Sequence, residues 1–98
     1  MSDRNLNYVE LTGTVESIVP HSHNYYVEWV LCKPYQMTEA GGKHSTKYVR
    51  VLCVGYGVIA ELFIRDCVVG SHVSIRGALA VGSNGLEIIV QEMEVINE

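Results

Sequence analysis

The sequence has no apolar run long enough to cross a membrane: Glu, Arg, Gly or Asn interrupts each hydrophobic stretch before the roughly 20 residues that a span requires. Its N-terminus, Met1-Ser2-Asp3-Arg4-Asn5, lacks the charged start and apolar stretch of a secretory signal, so a cytoplasmic location is expected. Cysteine is scarce. Cys32, Cys53 and Cys67 are odd in number, show no C-x-x-C spacing and stand among apolar neighbours such as Leu31, Leu52 and Val68, which predicts buried thiols and no disulfides. Basic residues are in the minority, seven Lys and Arg against eleven Asp and Glu. The formal charge of −4 argues against a nucleic-acid partner if it is taken as an average.

The distribution says otherwise. Residues 33–50 hold Lys33, Lys43, Lys47 and Arg50 against Glu39 alone, which makes this segment +3 and leaves −7 on the remainder. A polyanion responds to the field within about one Debye length, roughly 8 Å at physiological salt, more than to the total charge. The 98 residues suit one domain, 1–98, and a 48% hydrophobic composition supplies a packed core.

Residues 8–15 alternate, with Val9, Leu11, Gly13 and Val15 on one face and Glu10, Thr12 and Thr14 on the other, as in a half-buried strand. Beyond the loop Pro20-His21-Ser22-His23-Asn24, residues 25–33 direct Val27, Trp29 and Leu31 inward. Residues 34–46, with Pro34, Gly41, Gly42, Ser45 and Thr46, predict a long hairpin loop. Residues 47–54 resume the strand, with Val49, Val51 and Cys53 inward and Tyr48, Arg50, Leu52 and Val54 outward. Val58, Ile59, Leu62, Phe63 and Cys67 follow at helical spacing.

In residues 72–81, Val73, Ile75, Gly77, Leu79 and Val81 share a face; Gly82-Ser83-Asn84-Gly85 makes a tight connection. Residues 86–96 form a last strand in which Leu86, Ile88 and Val90 alternate, while Ile89, Met93 and Val95 predict a phase change or bulge on the way. The order strand, strand, strand, helix, strand, strand, with no parallel crossover pattern, predicts an all-β protein: a five-stranded oligonucleotide-binding (OB) Greek-key barrel with one short helix between strands 3 and 4.

Two constellations are discounted. His21-x-His23 with Cys32 or His44 does not repeat the paired spacing of zinc ligands, so these histidines are expected to be solvated and no metal or cofactor is expected. Gly55-Tyr56-Gly57-Val58-Ile59-Ala60 fits a dinucleotide fingerprint but lacks the parallel strand and acidic residue that should follow, so its glycines are assigned to the turn into the helix. The thiols lie on apolar segments and no carboxylate is placed to orient an imidazole; the chain is not expected to be an enzyme.

Three stretches, in order, resemble the bacterial single-stranded-DNA-binding protein (SSB) family and its shorter relative, primosomal replication protein N. They are Asn7-Tyr8-Val9-Glu10-Leu11-Thr12-Gly13-Thr14-Val15; Thr46-Lys47-Tyr48-Val49-Arg50-Val51-Leu52-Cys53-Val54-Gly55 with Ala60-Glu61; and Gly70-Ser71-His72-Val73-Ser74-Ile75-Arg76-Gly77-Ala78-Leu79. Against the family pattern, Val54 replaces a Phe, Gly82 to Gly85 carry no aromatic, and no Gly- and Pro-rich tail follows Asn97-Glu98, so a short, tail-less member is expected.

The resemblance implies single-stranded DNA as partner, with RNA left open, in replication, recombination or repair. It also implies contact with replication or primosome proteins, and a homodimer or homotetramer formed through the first strand. Single strands are held by basic grooves and by aromatic faces, at roughly 1–3 kcal/mol per stacked base. The expected contacts are Tyr48 and Arg50, extended by Lys33, Tyr35, Lys43 and Lys47. Without the resemblance, Tyr48 and Arg50 form an ordinary exposed cross-strand pair. Arg76 either reaches phosphate or pairs with a nearby glutamate, Tyr25 and Tyr26 either line the groove or cap the barrel, and Trp29 belongs to the core. The alternative function is an OB domain used for protein docking.

Overall fold

A computed structural model describes residues 7–20 and 25–96. The elements are β1 (Val9–Ile18), β2 (Tyr26–Thr38), β3 (His44–Tyr56), α1 (Val58–Asp66), β4 (His72–Gly82) and β5 (Gly85–Ile96). They form a closed barrel in the order β1-β2-β3-β5-β4, with β1 returning to β4. This is the expected OB architecture.

Closure depends on bending β1 so that it serves two partners. Its first half, Val9 to Thr14, pairs with Gly77 to His72 of β4; its second half, Thr14 to Ile18, pairs with β2. The register shifts between Val15 and Ser17, so Glu16 is the extra residue of a bulge, the usual device for turning a strand sharply. The Asn7 side chain continues the β1–β4 ladder: its Nδ2 donates to the Leu79 carbonyl at 2.9 Å, and its Oδ1 accepts from the Leu79 N–H at 2.8 Å.

The hairpin of β2 and β3 corrects the sequence reading. Residues 34–46 are not a loop; the two strands pair without a break from Tyr26↔Tyr56 to Thr38↔His44. Pro34 is tolerated because β2 is an edge strand at that point, its pairing with β1 having ended at Thr14↔Cys32. Only residues 39–43 turn. There, the Glu39 N–H donates to the Lys43 carbonyl at 2.7 Å and the Gly42 N–H to the Glu39 carbonyl at 3.0 Å.

A parallel contact, which the residue pattern did not predict, closes the barrel: Leu52, Cys53 and Val54 of β3 lie beside Glu87, Ile88 and Ile89 of β5. The expected phase change in the last strand is present as a register shift that leaves Gln91 unpaired opposite Arg76 and Gly77. It lets Ile88 and Val90, then Met93 and Val95, face the same core. Gly77 sits at this bulge, where a Cβ would collide with the Ile89 carbonyl, so close strand approach requires glycine.

The core is as expected for Val15, Val27, Leu31, Val73 and Ile75. Trp29 is fully buried and stacks on Phe63 of α1, with centroids 4.1 Å apart and planes at 19°. The helix thus plugs the barrel with an aromatic pair. Gly57, at φ 60°, makes the turn into it, and β4 then runs antiparallel to β1 and β5, so the glycine fingerprint has no parallel βαβ unit behind it. Val58, assigned inward by spacing, is exposed at the first turn of α1.

Leu79 and Val81 correct the reading of β4 in the same way. They keep their phase but are exposed, Val81 by 82%, because the strand runs past the barrel rim. Of the cysteines, Cys53 and Cys67 are buried, whereas Cys32 is only half-buried. Burial pushes the Cys53 thiol up to about 12. The Cys67 thiol rises to about 11, through burial first and Asp66 second. Both are inert at neutral pH.

Candidate nucleic-acid interface

The register of the β2–β3 hairpin sorts its side chains onto two faces. Residues directly opposite each other in an antiparallel pair share a face, and the faces alternate along each strand. The pairs Trp29↔Cys53 and Leu31↔Val51 start at the core, and the same face continues outward as Lys33↔Val49, Tyr35↔Lys47 and Met37↔Ser45. The opposite face carries Cys32↔Arg50, Pro34↔Tyr48, Gln36↔Thr46 and Thr38↔His44.

The expected single surface is therefore two surfaces. Tyr48 and Arg50 lie together on the outer face, Lys33, Tyr35 and Lys47 lie on the inner-facing side of the projecting ribbon, and Lys43 sits in the turn between them. Simple loop geometry would have allowed all six to converge, but a regular ribbon does not. Among the described residues, no ion pair holds Lys33, Lys43 or Lys47.

Arg50 is built into a small cluster. Its Nε donates to both carboxylate oxygens of Glu16 at 2.9 Å, and its guanidinium carbon lies 5.5 Å from the Tyr48 ring centroid, within cation–π reach. Glu16 is the bulge residue of β1; the irregularity that bends the strand also presents this carboxylate to β3. The Arg50 pKa is raised, by the hydrogen bond to Glu16 first and by its charge second. Tyr48 remains 54% exposed.

Arg76 is remote from this cluster. It lies on β4 opposite Glu10 of β1 and Glu92 of β5, with contacts of 3.7 Å and 3.1 Å, and its pKa is raised by a Tyr8 side-chain hydrogen bond first and the Glu92 charge next. Of the two uses foreseen for Arg76, pairing with glutamate is the one its surroundings supply.

The outer face also holds residues that the sequence reading missed or left open. Tyr56 shares phase with Tyr48, Arg50, Leu52 and Val54, and lies opposite Tyr26. Their rings are 5.2 Å apart at 49°, and Tyr56 is 54% exposed. The period-two phase of residues 48–56 is the signal that puts Tyr56 on this face, although the residue also falls within the glycine fingerprint. Val54, expected to be exposed on this face, is fully buried beside Glu28 and Ile89.

His21 and His23 lie outside the described residues. Among the described residues, no three His, Cys, Asp or Glu side chains group as metal ligands would, and no helix is long and apolar enough to cross a membrane.

No protein-family model matches the chain, and no curated protein matches its sequence. Solved structures match throughout. The chain is similar to PriB from Ralstonia solanacearum (TM-score 0.73, 18% identity, covering 95% of this chain and 100% of that one). It is also similar to the Plasmodium falciparum SSB in its complex with single-stranded DNA (TM-score 0.80, 18% identity, 99% and 100%). A third match is the small single-stranded-DNA-binding protein of Streptomyces coelicolor (TM-score 0.74, 13% identity, 96% of each chain). At these identities the likeness carries the fold: the chain has the OB barrel of the SSB and PriB structures, over almost its whole length.

Proposed function

We propose that this protein binds single-stranded DNA without catalysis, through the β2–β3 hairpin, in replication, recombination or repair. The observation that carries the reading is the Tyr48–Arg50 pair, exposed on a hairpin whose segment is +3 in a chain of −4. Tyr48 offers a face for a base, Arg50 a donor fork for phosphate, and Lys33, Lys43 and Lys47 a track of point charges around the ribbon. The similar structures of an SSB with bound single-stranded DNA and of a small single-stranded-DNA-binding protein support it. Arg76, held between two glutamates, is the weakest candidate contact.

The test is titration of a fluorescent dT oligonucleotide of about 30 nucleotides with wild-type protein and with Tyr48→Ala/Arg50→Ala. The wild type binds with a log–log salt slope of about −2 to −3.5, corresponding to three to five phosphate contacts, and the variant binds at least about tenfold more weakly. No binding by the wild type at low salt overturns the reading.

Self-association through β1 belongs to the same proposal. Residues Val9 to Gly13 pair with β4 on one side only, since β2 joins at Thr14, and a second copy can add to the other edge. One observation favours the second reading, a protein-docking OB domain: Leu79, Val81 and Leu86 expose apolar surface on the β4–β5 hairpin.

A further inference from the structure

We propose that Tyr56, braced by Tyr26, is a second base-stacking platform, and that a bound strand runs along the outer face of β3 from Tyr48 to Tyr56. The inference rests on the single-strand-binding reading and adds to it a second contact, a path and a division of forces.

The alternation of β3 puts Tyr48, Arg50, Leu52, Val54 and Tyr56 on one face, with no break in the β2–β3 register. Eight residues of strand separate the two tyrosines by about 26 Å, enough for several nucleotides of the roughly 4–16 that an OB fold occupies. Between them, Val30 and Leu52 are half-buried, and Val54, flanked by Glu28 and Ile89, is fully buried.

The platform itself is preorganised. Tyr26 and Tyr56 face each other across the hairpin at 5.2 Å and 49°; Tyr26 is half-buried while Tyr56 is 54% exposed. A ring already fixed against a neighbour loses little freedom when a base stacks on its open side.

Electrostatics separate this end from the other. Arg50, paired with Glu16, stands near Tyr48, whereas Glu28, opposite Val54, and Glu87, beside Leu52, lie along the way to Tyr56 with no cation beside them on β3. Carboxylates repel phosphates and accept hydrogen bonds from base N–H groups, so bases face this part of the sheet and the backbone faces solvent. Binding at Tyr56 is accordingly stacking-led and almost independent of salt, while binding near the lysines carries the salt dependence.

The experiment compares wild type, Tyr48→Ala, Tyr56→Ala and Tyr56→Phe on dT oligonucleotides of about five and about fifteen nucleotides across a salt series, with thermal melts to confirm folding. Tyr56→Ala is expected to weaken the longer oligonucleotide at least about fivefold, to spare the shorter one and to keep the salt slope; Tyr56→Phe keeps wild-type affinity. Cross-linking of a 5-iododeoxyuridine oligonucleotide to Tyr56 accompanies this. If the wild type binds and Tyr48→Ala weakens it, but Tyr56→Ala matches wild type at both lengths, the platform is overturned and single-strand binding stands. If Tyr56→Phe loses as much as Tyr56→Ala, the hydroxyl and not the ring acts, and stacking is overturned. Failure of the wild type to bind either length at low salt overturns both.

Discussion

Two antiparallel hairpins run past the barrel rim, and they are chemically opposite. The β2–β3 hairpin has 13 residues in each strand and carries Lys33, Lys47, Tyr35, Tyr48 and Arg50, with Lys43 in its turn. The β4–β5 hairpin turns through only Ser83 and Asn84, and its rim residues Leu79, Val81 and Leu86 are apolar. Both extend the alternation of core strands beyond the core. What differs is what each places where burial stops: long cationic and aromatic side chains on one, aliphatic side chains on the other. Local charge and ring faces are what attract a polyanion, and the first hairpin supplies both while the second supplies neither at its rim.

The contrast can be broken most severely by removing the charge. Lys33→Gln/Lys43→Gln/Lys47→Gln should flatten the salt slope of oligonucleotide binding by about 2 and weaken binding at low salt at least about tenfold, measured by the same titration. A slope equal to wild type would mean that these lysines are ordinary solvated charges.

A smaller effect, of opposite sign, is expected from Glu16→Gln. Glu16 holds the Arg50 Nε through both oxygens, and a phosphate must compete with it. Neutralising it frees the guanidinium and should tighten binding about twofold to fivefold at low salt. Weaker binding would instead assign Glu16 the task of positioning Arg50.

The smallest effect is expected on the apolar hairpin. Val81→Ser/Leu86→Ser changes residues that are 82% and 65% exposed, so stability by thermal melt should move by no more than about 0.5 kcal/mol, with affinity and salt slope unchanged. A tenfold loss of DNA binding would erase the division between the hairpins. Loss of a protein partner's binding with DNA affinity intact would give the β4–β5 hairpin its own role.

Much of this architecture was legible in residue order because a sheet with one buried face imposes period two. Val9, Leu11, Gly13 and Val15, or Val73 and Ile75, announce their inward face directly, and Ile89, Met93 and Val95 announce an irregularity in β5 that the register places at Gln91. Composition overstates the loop of this hairpin: Pro34, Gly41 and Gly42 are turn formers, yet Pro34 sits on an edge and only residues 39–43 turn. The site was legible as residue types but not as a surface. Tyr48 and Arg50 share a face as their phase predicts, whereas Lys33 and Lys47, expected to extend that surface, lie on the other face, Lys43 lies in the turn, and the phase of Tyr56 places it beside Tyr48 and Arg50.

By itself the sequence determined the strand faces, the helix between the third and fourth strands, Trp29 as core and the local positive segment, because these follow from periodicity and charge along a single stretch of chain. Only the tertiary structure decided that β3 and β5 meet in parallel, that the Glu16 bulge reaches Arg50, and that Tyr26 braces Tyr56. Those are contacts between residues far apart in the chain. They arise when bending β1 and closing the barrel set strand registers that no local pattern encodes.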